Sequence, residues 1–117
     1  MTIFSRRARS MLTLAALALT WPCARAAGTE AAPWTGGDAA RGATLVQRDC
    51  DGCHARRFDG DPARIYLRED RKVRTAAQLA TQITYCSTEL NTGYFPDEEA
   101  HIAAYLDARY YHFHTDR

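Results

Sequence analysis

Two cysteines three residues apart with a histidine directly after the second, Cys50-Asp51-Gly52-Cys53-His54, constrain this chain more than any other feature. This is the C-x-x-C-H pattern of covalent c-type haem attachment. Two thiols have to reach two vinyl groups on one edge of a porphyrin, and the next side chain then swings under the ring. His54 would offer an imidazole nitrogen to the iron as proximal ligand. Redox-active thiol pairs and half zinc sites share the C-x-x-C spacing. A redox pair belongs in a thioredoxin-like βαβ setting, and zinc needs a second ligand pair at similar spacing. The sequence offers neither.

Residues 1–26 read as a cleavable export signal. Arg6, Arg7 and Arg9 make a basic start, Met11 to Leu19 a short apolar run, and Ala24-Arg25-Ala26 a small-x-small cleavage site. The apolar run falls short of the ~20 residues that span a bilayer. A lipoprotein anchored through Cys23 is the competing reading. Thr20, Trp21 and Pro22 are poor lipoprotein-signal residues, so cleavage after Ala26 is favoured and no membrane anchor is expected to remain. Localisation is expected to be periplasmic and soluble, which suits c-type haem because it is attached outside the cytoplasm.

Cleavage there leaves Ala27 to Arg117, a length for one domain with a modest core. Small domains often need a cofactor or cross-link, and a tethered haem would supply that apolar centre. The chain has 15 basic and 14 acidic residues; losing the four arginines of the signal leaves 11 against 14, a formal charge of −3. Residues 41–74 carry nine basic and six acidic groups, and residues 75–117 two basic and six acidic, an asymmetry that could orient a redox partner. An ordinary solvated surface is the plainer explanation. Nothing suggests nucleic acid.

Residues 27–37 are small, Gly-rich and aperiodic, which reads as a flexible linker. Asp38 is a helix N-cap, and Ala40, Ala43, Leu45 and Val46 share one side of a helix over about 39–49 that runs into the motif. A polar stretch, Ala55 to Asp61, follows, with Asp59-Gly60 as a turn. Asp61-Pro62 starts a short helix over about 62–68. Thr75-Ala76-Ala77-Gln78 has the form of a capping box, and Leu79, Ile83 and Cys86 then fall on one helical face. Asn91-Thr92-Gly93 breaks that helix. Asp97, Glu98 and Glu99 favour the start of a last helix, with Ile102, Tyr105, Leu106 and Arg109 at helical spacing up to about Tyr110. No segment alternates with period two. The predicted fold class is therefore all-α, about four short helices around one haem, with the haem domain over 38–110 and a C-terminal tail over 111–117.

The run Gly37-Asp38-Ala39-Ala40-Arg41-Gly42 through His54, with the final Asp97-Glu98-Glu99 … Ala104-Tyr105-Leu106 helix, resembles a small class I cytochrome c. The resemblance implies a cytochrome c-like fold whose first and last helices cross closely, a small residue on one facing an aromatic on the other. Gly42 and Tyr105 match those roles. Family members carry a distal methionine before the last helix. This chain departs from that: its only methionines, Met1 and Met11, lie in the expected signal. The candidates for the distal position are Cys86, His101, His112, His114, Lys72, Asn91, or no protein ligand. Cys86 is the one unpaired cysteine of the expected exported chain, which suggests a ligating, reactive or intermolecular role. Packing as a small hydrophobe beside Leu79 and Ile83 is the alternative. A cysteine there also resembles the His/Cys haems of bacterial thiosulfate-oxidising cytochromes, although no arginine follows Cys86 and no second haem motif is present. His101 is expected on the surface of the last helix, and His112 and His114 in a frayed tail. The aromatics Tyr94-Phe95 and Tyr110-Tyr111 are expected to pack in the haem pocket and between helices.

These readings lead to a periplasmic single-haem c-type cytochrome that carries one electron between redox partner proteins. A sulfur-compound-oxidising haem enzyme or subunit, and a gas-binding haem module, are the alternatives.

Overall fold

The structure, a computed structural model, describes residues 32–113. The expected signal, most of the expected linker, and His114 with the last three residues lie outside the described residues. Within them the chain is helical, with no strand: α1 Ala39–Asp49, α2 Asp51–Arg57, α3 Arg64–Leu67, α4 Ala76–Glu89 and α5 Pro96–Leu106. A π-type turn, Asp107–Tyr111, extends α5. The all-α expectation holds.

Local chemistry accounts for most of the boundaries. Asp38 caps α1 with one carboxylate oxygen that accepts from the N–H groups of Ala40 and Arg41, at 2.8 and 3.1 Å. Thr75 caps α4 by accepting from the Gln78 N–H at 3.2 Å. The return bond of the box lands one residue early, since the Gln78 side chain accepts from Arg74 rather than from Thr75. Asn91 and Gly93, at φ 51° and 69°, turn the chain out of α4. Only half a box starts α5: Glu98 accepts from the Phe95 N–H at 3.0 Å, while Phe95 has no acceptor to return. Asp59 and Gly60 form the turn expected of them, both at positive φ.

The sequence reading placed a polar stretch from Ala55 to Asp61, and here the structure corrects it. The motif is itself helical, and α2 runs to Arg57. Its seven residues, DGCHARR, contain a glycine and no apolar stripe, so periodicity gave no sign of it.

The main helix contact is α1 against α5. It is set by Gly42. A Cβ at that position would lie 1.9 Å from the His101 carbonyl oxygen and 2.8 Å from the Tyr105 Cβ. Only glycine permits this approach, and Tyr105 is the facing residue expected. Gly37, just before α1, meets the Ala100 carbonyl oxygen in the same way, where a Cβ would lie at 2.4 Å. Leu45 and Val46 of α1 are buried with Ile102, Ala103 and Leu106 of α5, and Leu79 and Ile83 of α4 complete the centre. Glu99 ties α4 to α5, accepting from Thr84 and Ser87 hydroxyls at 2.6 Å each.

The packed unit is wider than 38–110. Trp34, inside the stretch read as a linker, is buried in the core, and Tyr111 and Phe113, inside the stretch read as a tail, pack against it. A single bulky aromatic in a run of small residues shows no periodicity, yet burying it carries as much apolar area as several smaller side chains. No helix among the described residues is long and apolar enough to cross a membrane.

Candidate functional site

Cys50 sits at the joint between α1 and α2. Its N–H closes α1 on the Val46 carbonyl, and its own carbonyl accepts from the N–H groups of Cys53 and His54, opening α2. Cys53 and His54 therefore lie in the first turn of α2. One turn of helix carries Cys53 back towards the side of Cys50, which is how three-residue spacing makes neighbours of two thiols.

The three described cysteines are free thiols. Among the described residues no three His, Cys, Asp or Glu side chains gather as a metal cage, so the motif lacks the partners that zinc would require. A redox pair fits poorly as well. Reactive C-x-x-C thiols have lowered pKa values, whereas burial, with Asp49 next in weight, pushes the Cys50 thiol up to about 11.

His54 is half-buried, and its Nδ1 lies 3.0 Å from the Tyr66 hydroxyl. The two rings meet edge to face, with centroids 5.4 Å apart. Burial is the main cause that lowers the His54 pKa, with Asp51 opposing it and Arg57 adding to it. Burial thus favours the neutral imidazole, the form that ligates metals. No described side chain bonds its Nε2. Tyr66 is 6% exposed and is stacked on Tyr110 at 4.8 Å. Arg71 lies alongside: its Nη1 donates to the Tyr66 carbonyl at 3.3 Å, its guanidinium faces the Tyr111 ring, and its Nε is buried with no acceptor.

Cys86 lies in the last turns of α4. Its Sγ accepts from the Gln82 side-chain amide at 3.2 Å.

Of the other distal candidates, His101 is placed away from the motif. The His101 Nδ1 accepts from the Asp38 N–H at 2.8 Å, which fastens it at the start of α1. The motif lies beyond the other end of that helix, roughly 16 Å away at 1.5 Å per residue. His101 is half-buried rather than a free surface residue. Lys72, Asn91 and His112 are exposed, and His114 is outside the described residues. Phe95, expected in a pocket, is 71% exposed, whereas Tyr94 reaches back to the Asp49 carboxylate. The open grooves lie elsewhere: one of about 440 Å³ beside His101 and Arg41, another of about 420 Å³ along α4 between Lys72 and Tyr85. Neither includes the motif.

No family model matches the chain, and neither does a curated protein or a solved structure. The reading of this site rests on its residues and their geometry.

Sequence reasoning missed Tyr66, Arg71 and Gln82. Tyr66 carried a signal, being the only aromatic between Phe58 and Tyr85 in a strongly charged stretch. Nothing in the sequence marked Arg71 among its charged neighbours.

Proposed function

We propose that this chain is an exported single-haem c-type cytochrome with a cytochrome c-like fold, acting in one-electron transfer between redox partner proteins. The observation that carries the reading is the motif itself: Cys50 and Cys53 as free thiols one helical turn apart, followed by His54, whose Nδ1 is held by Tyr66 and whose Nε2 no described side chain bonds. The close α1–α5 crossing at Gly42 and Tyr105 supports the family resemblance independently of the motif.

The donor set fits haem. Each thiol can add across one vinyl group, sulfur to one carbon and hydrogen to the other, with no atom lost. His54 would hold the iron through Nε2. The buried Arg71 Nε–H, without an acceptor, suits a propionate carboxylate. Bound haem supplies reversible one-electron chemistry, so the protein's part is to hold the ligand geometry, shield the group and leave an edge accessible.

The test is expression of the full chain in an exporting host with c-type haem maturation. Haem that resists acid-acetone extraction, is lost in Cys50→Ser/Cys53→Ser, and titrates as one reversible electron is the expected result. A chain that carries no covalent haem under these conditions refutes the proposal.

A second reading, His/Cys ligation with sulfur-compound oxidation, is favoured by one observation: Gln82 offers a hydrogen bond to the Cys86 sulfur. Cys86→Ala should then change the ferric spectrum and abolish thiosulfate or sulfite turnover while leaving haem attached. An unchanged spectrum and rate would rule it out.

A further inference from the structure

We propose that Tyr66 is a positioning residue for His54: its hydroxyl accepts the Nδ1–H of the imidazole, fixing the ring's tautomer and plane so that Nε2 is the nitrogen presented to iron. The inference rests on the haem reading above. Its basis is the 3.0 Å contact between the Tyr66 hydroxyl and Nδ1, with the two rings at 72°. An imidazole that binds metal through one nitrogen carries its proton on the other. In such sites that N–H is usually held by an outer partner, which raises the basicity of the ligand.

A partner orients a ring only if it is itself held. Tyr66 is buried, lies nearly parallel to Tyr110 at 4.8 Å and meets Tyr111 edge-on at 6.1 Å. Arg71 bonds its carbonyl. The two tyrosines that clamp it come from the π-type turn at the end of α5. The wider turn changes the angle at which Tyr110 and Tyr111 leave the helix, and such turns recur at functional sites. Asp107 fixes the exit from that turn by accepting from the Phe113 N–H at 2.7 Å. The contacts thus run from the C-terminal turn through Tyr66 to Nδ1.

The test uses the haem-loaded full chain. Tyr66→Phe keeps the stacked ring and removes only the acceptor. A less basic imidazole stabilises ferric iron less, so at a fixed applied potential the ferrous-to-ferric ratio should rise several-fold, where tenfold corresponds to 59 mV for one electron. Tyr111→Phe, which keeps the ring that meets Tyr66 edge-on and removes only a hydroxyl, should leave the ratio unchanged. In the wild type the His54 Nδ1–H should exchange slowly with solvent by NMR, and this measurement needs no variant. A haem-loaded Tyr66→Phe with an unaltered ratio, or a rapidly exchanging Nδ1–H, overturns the proposal and leaves the haem reading intact. Absence of covalent haem in the wild type overturns both.

Discussion

Replacing Gly42 by alanine sets two physical effects against each other, and the structure decides which wins. Alanine favours a helix interior over glycine by up to about 1 kcal/mol, so propensity alone makes the variant more stable. The added Cβ, however, would stand 1.9 Å from the His101 carbonyl oxygen and 2.8 Å from the Tyr105 Cβ. Non-bonded carbons sit at about 3.5–4.0 Å, and a gap of 0.5–1 Å forfeits roughly a quarter to a half of their attraction. The obstacle is backbone and a Cβ, which no side-chain rotation can clear, so α1 and α5 have to part by about 1 Å. Leu45, Val46, Ile102 and Leu106 are buried along that seam. Their burial is worth about 1.5–3 kcal/mol each; losing part of it exceeds the propensity gain. The net expectation is a loss of about 2–3 kcal/mol, in line with other overpacked cores. For a domain of this size that lowers the melting temperature by roughly 10–20 °C. Thermal and urea unfolding followed by circular dichroism will measure it. A Gly42→Ala protein as stable as the wild type would refute the close crossing.

Trp34→Ala should cost about 3–5 kcal/mol, and unfolding will show whether the residues before Asp38 belong to the cooperative unit. Tyr94→Phe removes a hydroxyl bonded to Asp49 across 45 residues, with an expected loss of about 1–2 kcal/mol at neutral pH. The Asp49 carboxyl is held below its ordinary value, first by Arg48 and then by Tyr94. Its contribution is therefore full above the unfolded value near 3.9 and fades as pH falls through the lower folded value. Stability curves of Tyr94→Phe and wild type should accordingly converge in acid; parallel curves would contradict the assignment. His101→Ala should weaken the start of α1 by about 0.5–1 kcal/mol, yet leave the absorption spectrum of haem-loaded protein unchanged, since His101 is occupied at the far end of α1. A shifted ferric spectrum would return it to the distal candidates.

The features legible in the sequence were those encoded by neighbours along the chain. Asp38 and Thr75 cap, Asp59-Gly60 and Asn91-Gly93 turn, and Leu79 and Ile83 share a buried face because each depends on spacings of a few residues. Gly42 is a partial exception. Its partner is 63 residues away, and only the family resemblance suggested that a glycine there meets Tyr105. The residues that escaped act at long range without a period. Trp34 and the π-type turn are single events in the chain, and α2 is too short and polar to declare itself. Tyr66 was hidden because its meaning comes from three elements at once: α3 carries it, the turn after α5 clamps it, and α2 gives it His54 to bond.

The same contrast explains why one side of the proposed haem is much better defined than the other. Five consecutive residues determine the proximal side, and any fold that keeps α2 helical keeps them together. The distal side depends on which segment the chain lays across from them, and six side chains were available in the sequence. Packing shortens that list by one, since His101 serves α1 at its far end. Cys86 is different, since it already receives a hydrogen bond from Gln82. A thiolate is favoured where a donor meets its charge, and on iron it favours the ferric state. A neutral thiol held by the same amide would merely fill space beside Ile83. The two cases separate in one comparison: Gln82→Leu, by leaving the sulfur a stronger donor to iron, should lower the potential of a Cys86-ligated haem and leave that of an unligated one where it was.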